Sequence, residues 1–244
     1  MNNLNDVFTM DIFKSDTNFL NAKPFPMAVI DNFLPNDFAI DMYNEISLIN
    51  DNTWKEFTRN GSHMFEFNRL GTTPAAFKLM SYLHSSYALE KLTNFTGIEG
   101  LIPDPHLIGA GYSKSYTGDT LQVHTDFNWN NTLKLHRALS LIIYLTPDWD
   151  INWNGGLDFY NEDRNHIVTH VDCLFNRCLI WKYNKFGWHG HTSPLKCPID
   201  KPRTTFRLFY YTSNSTFLDD DPPHRSQYWY DPIEKKPYDK RNEK

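Results

Sequence analysis

Cysteine is scarce: the 244 residues hold Cys173, Cys178 and Cys197, with no close Cys-x-x-Cys spacing. A disulfide framework or a thiolate zinc site is therefore not the organising feature, and an odd count of scattered cysteines fits a reducing compartment such as the cytoplasm. No stretch approaches the ~20 apolar residues that a membrane-spanning helix needs. Met1 to Asp16 lacks the basic start and the apolar centre of a secretory signal. Basic residues are scattered rather than gathered into an arm, and the net charge is −5, so a nucleic-acid partner is not expected. The chain also has no internal repeat and no low-complexity tract. These absences point to a cytoplasmic protein that uses neither membrane nor nucleic acid.

What is present is enough for one sizeable core, because 40% of the residues are hydrophobic and 16% aromatic. Residues 1–24 read as a weakly ordered lead-in, and Pro26 to Phe33 as a strand. Asn36 can cap a helix running from Asp37 to about Leu48, and Pro74 to Phe95 is a second helical region. From Leu101 the texture changes to short strands punctuated by Gly, Pro and Asn, as in an all-β sandwich or barrel. The expected strands are Leu107–Tyr116, Thr120–Phe127, Ala138–Thr146, Leu157–Tyr160, Ile167–Val171, Cys178–Tyr183, Gly187–His191 and Thr204–Thr212. The domain reading is one unit over 25–218, with helical support at 34–100 and a β core at 101–218, followed by an extension over 219–244.

The chemistry sits in His124-Thr125-Asp126. Successive side chains of a strand point to opposite faces, so His124 and Asp126 project together and can share one metal ion. Two imidazoles and a carboxylate on one side of an octahedron leave the other side open for a chelating cosubstrate and O2, which is the arrangement of non-haem Fe(II) oxygenases. His-x-Asp alone is a weak signal, but its strand setting strengthens it. His189 is preferred as third ligand over His166, His170 and His191. An α-keto acid bound to iron needs a cation for its far carboxylate, and Arg203 opens the apolar strand that follows His189. His191, two residues on, is the closest rival. For Arg203 the plain alternative is a surface salt bridge near Asp200.

Several segments together resemble one family. Gly109-Ala110-Gly111-Tyr112, Leu121 to Asn128, Arg137 through Thr146, Trp149, Gly155-Gly156-Leu157, Trp188 to Pro198 and Arg203 through Thr212 are similar to the 2-oxoglutarate and Fe(II)-dependent oxygenases of the prolyl 4-hydroxylase type. The match runs from about Phe25 to Phe217. It implies a mainly β fold, a double-stranded β-helix or jelly-roll with N-terminal helices packed on the larger sheet. It assigns iron to His124, Asp126 and His189, and the far carboxylate of 2-oxoglutarate to Arg203 with Tyr144. Thr146 stands where the family commonly has Asn. Arg137 and Phe209 match positions on the substrate side in some relatives, and for Tyr144 and Phe209 aromatic core packing is the plain alternative.

The resemblance implies oxidative decarboxylation of 2-oxoglutarate to succinate and CO2, coupled to hydroxylation of an unactivated C–H bond, with Fe(II), O2 and ascorbate as a candidate reductant. The carboxylate of Asp126 disfavours halogenation, which needs a small residue there. A prolyl residue in a protein or peptide is the first substrate by family, with free proline, another amino acid or a small metabolite as alternatives. Trp129, Trp149 and Trp153, near expected loop ends, could receive a flat or apolar ring. Two rivals come from other classes: a cupin-like metal protein that does not use 2-oxoglutarate, and a catalytically silent β-sandwich binding module.

Overall fold

The apolar runs pair into strands that bury both faces. In the computed structural model, which describes Phe13, residues 18–213 and residues 221–229, fourteen strands form two sheets. In chain order they are β1 (Met27–Ile30), β2 (Lys55–Arg59), β3 (Ser62–Phe67), β4 (Ile102–Pro103), β5 (Gly111–Ser115), β6 (Leu121–Thr125), β7 (Trp129–Asn130) and β8 (Leu135–Tyr144), then β9 (Leu157–Tyr160), β10 (Ile167–Val171), β11 (Cys178–Lys182), β12 (His189–His191), β13 (Arg203–Thr212) and β14 (Gln227–Tyr228). The larger sheet runs β1-β11-β8-β13-β5-β3-β2, with β4 on β13 and β7 on β8. The smaller runs β10-β9-β12-β6-β14. Every pairing is antiparallel.

The period of two along β8 and β11 divides the core. Leu141, Ile143, Cys178 and Ile180 join one cluster with helix residues such as Ala39, Met42, Leu79 and Leu92. Ile142, Tyr144, Leu179 and Trp181 belong to a second cluster with Leu157, Phe159 and Val171 of the smaller sheet. The larger sheet is thus covered on both faces, which is why its central strands read as nearly continuous apolar runs. Helices α1 (Asn36–Asn44), α2 (Pro74–Leu83) and α3 (Ser86–Thr96) supply the outer cover. Tyr112 and Tyr210 tie them to the sheet by donating to the carbonyls of Met42 and Leu83.

Three local details differ from the sequence reading. Asn36 is the first helical residue of α1 rather than its cap, and the residue before it, Pro35, has no side chain able to accept from the helix N–H groups. The expected helix from Pro74 to Phe95 is two, because Ser85 adopts extended backbone and caps α3 by accepting from the Ala88 N–H. The region expected to give helical support also carries the β2–β3 hairpin, which extends the larger sheet. Its turn is Asn60-Gly61, with φ of +49° and +82°, the left-handed pair favoured in tight hairpins. Most of the 1–24 lead-in and residues 219, 220 and 230–244 of the extension lie outside the described residues.

Candidate metal centre

Strands β6 and β12 are neighbours in the smaller sheet, and their register sets His189 directly opposite His124. The imidazole centroids are 4.5 Å apart. Gly190 permits this approach, since a Cβ there would stand 2.6 Å from the carbonyl oxygen of Leu121. Asp126 lies just past the end of β6 and turns its carboxylate into the same space. One ligand atom from each of His124, Asp126 and His189 lies within 4.8 Å of the others. Among the described residues no other group of His, Cys, Asp and Glu meets in this way.

The orientation of each ring follows from its hydrogen bond. Nδ1 of His124 is 2.8 Å from the Gln122 carbonyl, and Nδ1 of His189 is 2.8 Å from the Gly187 carbonyl. A carbonyl can only accept, so each Nδ1 carries a proton, and in the neutral form of the ring Nε2 is the nitrogen with the lone pair. Burial first, then the neighbouring His189, pushes the pKa of His124 down to about 4, which keeps it neutral near pH 7. For Asp126, burial alone would raise the pKa. The Arg137 charge, followed by His189 and His124, outweighs burial and holds the carboxyl below its usual range.

Arg137 Nη2 is 3.0 Å from Asp126 Oδ2 but is not aligned as a hydrogen bond, so this buried oxygen retains unused acceptor capacity. Two buried imidazoles and a partly buried carboxylate fit a divalent first-row metal with open coordination positions.

Arg203 enters the same cavity, whose volume is about 290 Å3 and whose lining includes all three of these residues. It is buried, its Nε donates to the Gly155 carbonyl at 2.7 Å, and its guanidinium carbon lies 5.1 Å from the Tyr144 ring centre. Among the described residues it makes no ion pair with Asp200, so the surface alternative does not apply. Gly155 has φ of +86°, and a Cβ there would come within 2.9 Å of Arg203 Cδ. Tyr144 is fully buried, and its hydroxyl has no hydrogen-bond partner. Burial raises its pKa despite the opposing Arg203 charge, which keeps the phenol a donor. A guanidinium beside a free hydroxyl can recognise a carboxylate.

His191 stands apart from this three-residue group. A register shift between His189 and His191 takes it off the His124 partner line, and it lies in the cavity with an unpaired Nδ1. Arg137 is fully buried: Nε and Nη2 donate to Ser140 Oγ at 3.0 and 2.8 Å, and the guanidinium carbon stacks 3.5 Å from the Phe209 centroid and 4.6 Å from that of Phe127. Both Arg137 and Phe209 line the cavity. Of the three tryptophans, Trp149 is buried and packs on Trp153 at 5.3 Å, away from the centre, whereas Trp129 faces a neighbouring hollow.

Sequence reasoning missed two contributors. Phe57 and Glu66 of the hairpin form part of the cavity wall, and the Asn60-Gly61 pair was a usable turn signal for that hairpin. Tyr228 of β14 pairs with His124 across the sheet and stacks on its ring at 5.3 Å. Nothing local to Gln227-Tyr228 announces a pairing with a strand so far back in the chain.

Residues 110–211 match the family model described as the 2OG-Fe(II) oxygenase superfamily. No curated protein matches the chain in sequence. Among solved structures, the chain is similar to a prolyl hydroxylase from Trichoplax adhaerens in complex with a hypoxia inducible factor oxygen degradation domain peptide fragment, with TM-score 0.59, 16% identity, and coverage of 89% of this chain and 94% of that one. A prolyl-4-hydroxylase from Pseudomonas putida gives 0.58 and 12% over 77% and 93%. HygX from Streptomyces hygroscopicus, with nickel, 2-oxoglutarate and hygromycin B bound, gives 0.52 and 11% over 77% and 83%. At these identities the likeness is one of fold.

Proposed function

Taking residues 110–211 as a 2OG-Fe(II) oxygenase domain, the superfamily whose model they match, we propose that this protein is a 2-oxoglutarate- and Fe(II)-dependent dioxygenase that hydroxylates a C–H bond, with a prolyl residue of a protein or peptide as the first substrate. The observation that carries the reading is the meeting of His124, Asp126 and His189 in one cavity with Arg203. When bound, the iron supplies open coordination positions at which decarboxylation of 2-oxoglutarate to succinate and CO2 is coupled to substrate oxidation by O2.

The protein's own part is binding and positioning. His124 and His189 present Nε2 because their Nδ1 protons are engaged by backbone carbonyls. Asp126 offers the anionic oxygen, steadied by the Arg137 charge. Arg203 and the Tyr144 hydroxyl hold the distal carboxylate of the keto acid, which fixes the direction of its reactive end. Arg137 stacked on Phe209 would form the wall on the substrate side, and the apolar lining of Leu121, Ile142, Leu157 and Trp181 favours exclusion of water. The three free, buried cysteines fit a reducing compartment such as the cytoplasm. Residues 25–218 are read as the working unit.

The test is a succinate-release assay with Fe(II), 2-oxoglutarate and O2 across prolyl peptides, free proline, other amino acids and small metabolites. Product mass should rise by one oxygen for the true substrate. Succinate formed with free proline and not with peptides would move the substrate to the small-molecule class. Metal binding with no response to 2-oxoglutarate would overturn the reaction class.

A further inference from the structure

Beside the inner cavity lies a second, larger hollow of about 590 Å3, and Phe57, Phe127 and Ser226 line both. One wall is the β2–β3 hairpin, another is the segment after β6, and the third is residues 223–226, beyond the 110–211 match. This third wall is firmly anchored. Asn128 donates through Nδ2 to the carbonyls of Asp221 and Pro222, each at 3.1 Å, and accepts at Oδ1 from the His224 N–H at 2.7 Å. Tyr183 donates to the Asp221 carboxylate, and β14 continues directly into pairing with β6. The hollow is therefore a built feature that adjoins the place where the proposed reaction would occur.

Its chemistry is one-sided. Arg59 and Arg225 line it, and no carboxylate does among the described residues, although the chain as a whole carries −5. Arg59 rests on the Tyr228 ring at 5.5 Å, and among the described residues neither arginine has an acidic partner. Phe57, Phe127 and Trp129 add flat apolar faces. Being about twice the volume of the inner cavity, the hollow has room for more than the reacting residue. Aromatic faces and guanidinium groups that lack an acidic partner among the described residues together suit an extended chain bearing carboxylates, and the overall negative charge disfavours a polyphosphate backbone.

We propose that this hollow is an outer subsite for the stretch of peptide substrate flanking the reacting carbon, and that Arg59 and Arg225 select a flank carrying acidic side chains. The proposal rests on the inner cavity being the reaction site and adds the substrate's flanking chemistry.

The test uses the full chain with Fe(II) and 2-oxoglutarate, without O2, and short fluorescent peptides that share a central proline and differ in flanks: Asp/Glu, Ser/Gly or Lys. Anisotropy should rank acidic above neutral above basic, with acidic about tenfold tighter than neutral, as two partly exposed ion pairs would give. Arg59→Glu with Arg225→Glu should reverse the order, while Arg225→Lys keeps it. Melting temperatures of the variants separate a lost preference from a lost fold.

Equal affinity for the three peptides, no binding of any, a preference that survives the double reversal, or tighter binding of a labelled oligonucleotide would each overturn the proposal. Acidic peptide bound but never hydroxylated would count against prolyl oxidation and leave the subsite standing. Succinate formation on prolyl peptides without flank preference would do the reverse.

Discussion

The two imidazoles differ from ordinary buried histidines because each has Nδ1 committed to a backbone carbonyl and offers a ligand atom within 4.8 Å of those of the other ring and of Asp126. Asp126→Ala removes the only anion of the set, so Fe(II) affinity should fall by orders of magnitude and succinate formation should cease; near wild-type turnover in this variant would contradict its assignment. Arg203→Ala should instead weaken 2-oxoglutarate binding while leaving Fe(II) titration unchanged, because Arg203 touches the cavity but not the three-residue group.

Protons provide another check on the same residues. His84 and His124 are both pushed down to about 4, with burial as the leading cause. The unfolded chain therefore takes up protons that the native state refuses as pH falls from about 6.5 towards 4. Metal-free protein should lose stability across that window, on the order of 3 kcal/mol for each such histidine. Chemical denaturation at a series of pH values reads this directly. His63 and His170 are shifted the other way by carboxylate neighbours, and their stabilisation is present below the ordinary histidine pKa and lost as pH rises through their raised values. Both are substantially exposed, so their share is small.

At the scale of elements, the centre depends on how closely β12 can approach β6. Gly190→Ala would put a methyl group 2.6 Å from the Leu121 carbonyl oxygen, so it should cost about 1–3 kcal/mol of stability and lower metal affinity together. Thermal melts with and without Fe(II) would show both effects. The strands that form the centre were legible because their apolar residues alternate or run continuously: Leu157–Tyr160 and Ile167–Val171 have the expected bounds, and β6, β8, β11 and β13 differ only at their ends. His189 was preferred to His191 on motif spacing, while the register shift separating the two was not readable. The single helix expected over Pro74–Phe95 failed at Ser85, where a capping hydroxyl outweighed continuous apolar spacing. The hairpin at Asn60-Gly61 was missed although its turn residues were plain.

For the whole molecule, two sheets hold the site between them and a segment from beyond residue 220 closes one side. Arg203 and the three residues proposed to hold iron were legible from motif spacing, although β6 and β12, which carry the two histidines, lie far apart in the chain and meet only by pairing. The contributions of Phe57, Glu66 and Tyr228 were not, because they depend on tertiary pairing between distant segments. Asn128→Ala removes the anchor of residues 221–224 and should leave Fe(II) binding intact while weakening peptide binding, as titration of each separately would show.

The account stands most directly on anaerobic calorimetric titration of the metal-free protein with Fe(II), with and without 2-oxoglutarate, for the wild type and the His189→Ala and His191→Ala variants. It predicts one ion per wild-type chain, tighter 2-oxoglutarate binding once iron is present, loss of the iron site with His189→Ala and its retention with His191→Ala. Retention with His189→Ala alongside loss with His191→Ala, or iron binding indifferent to 2-oxoglutarate, would contradict it.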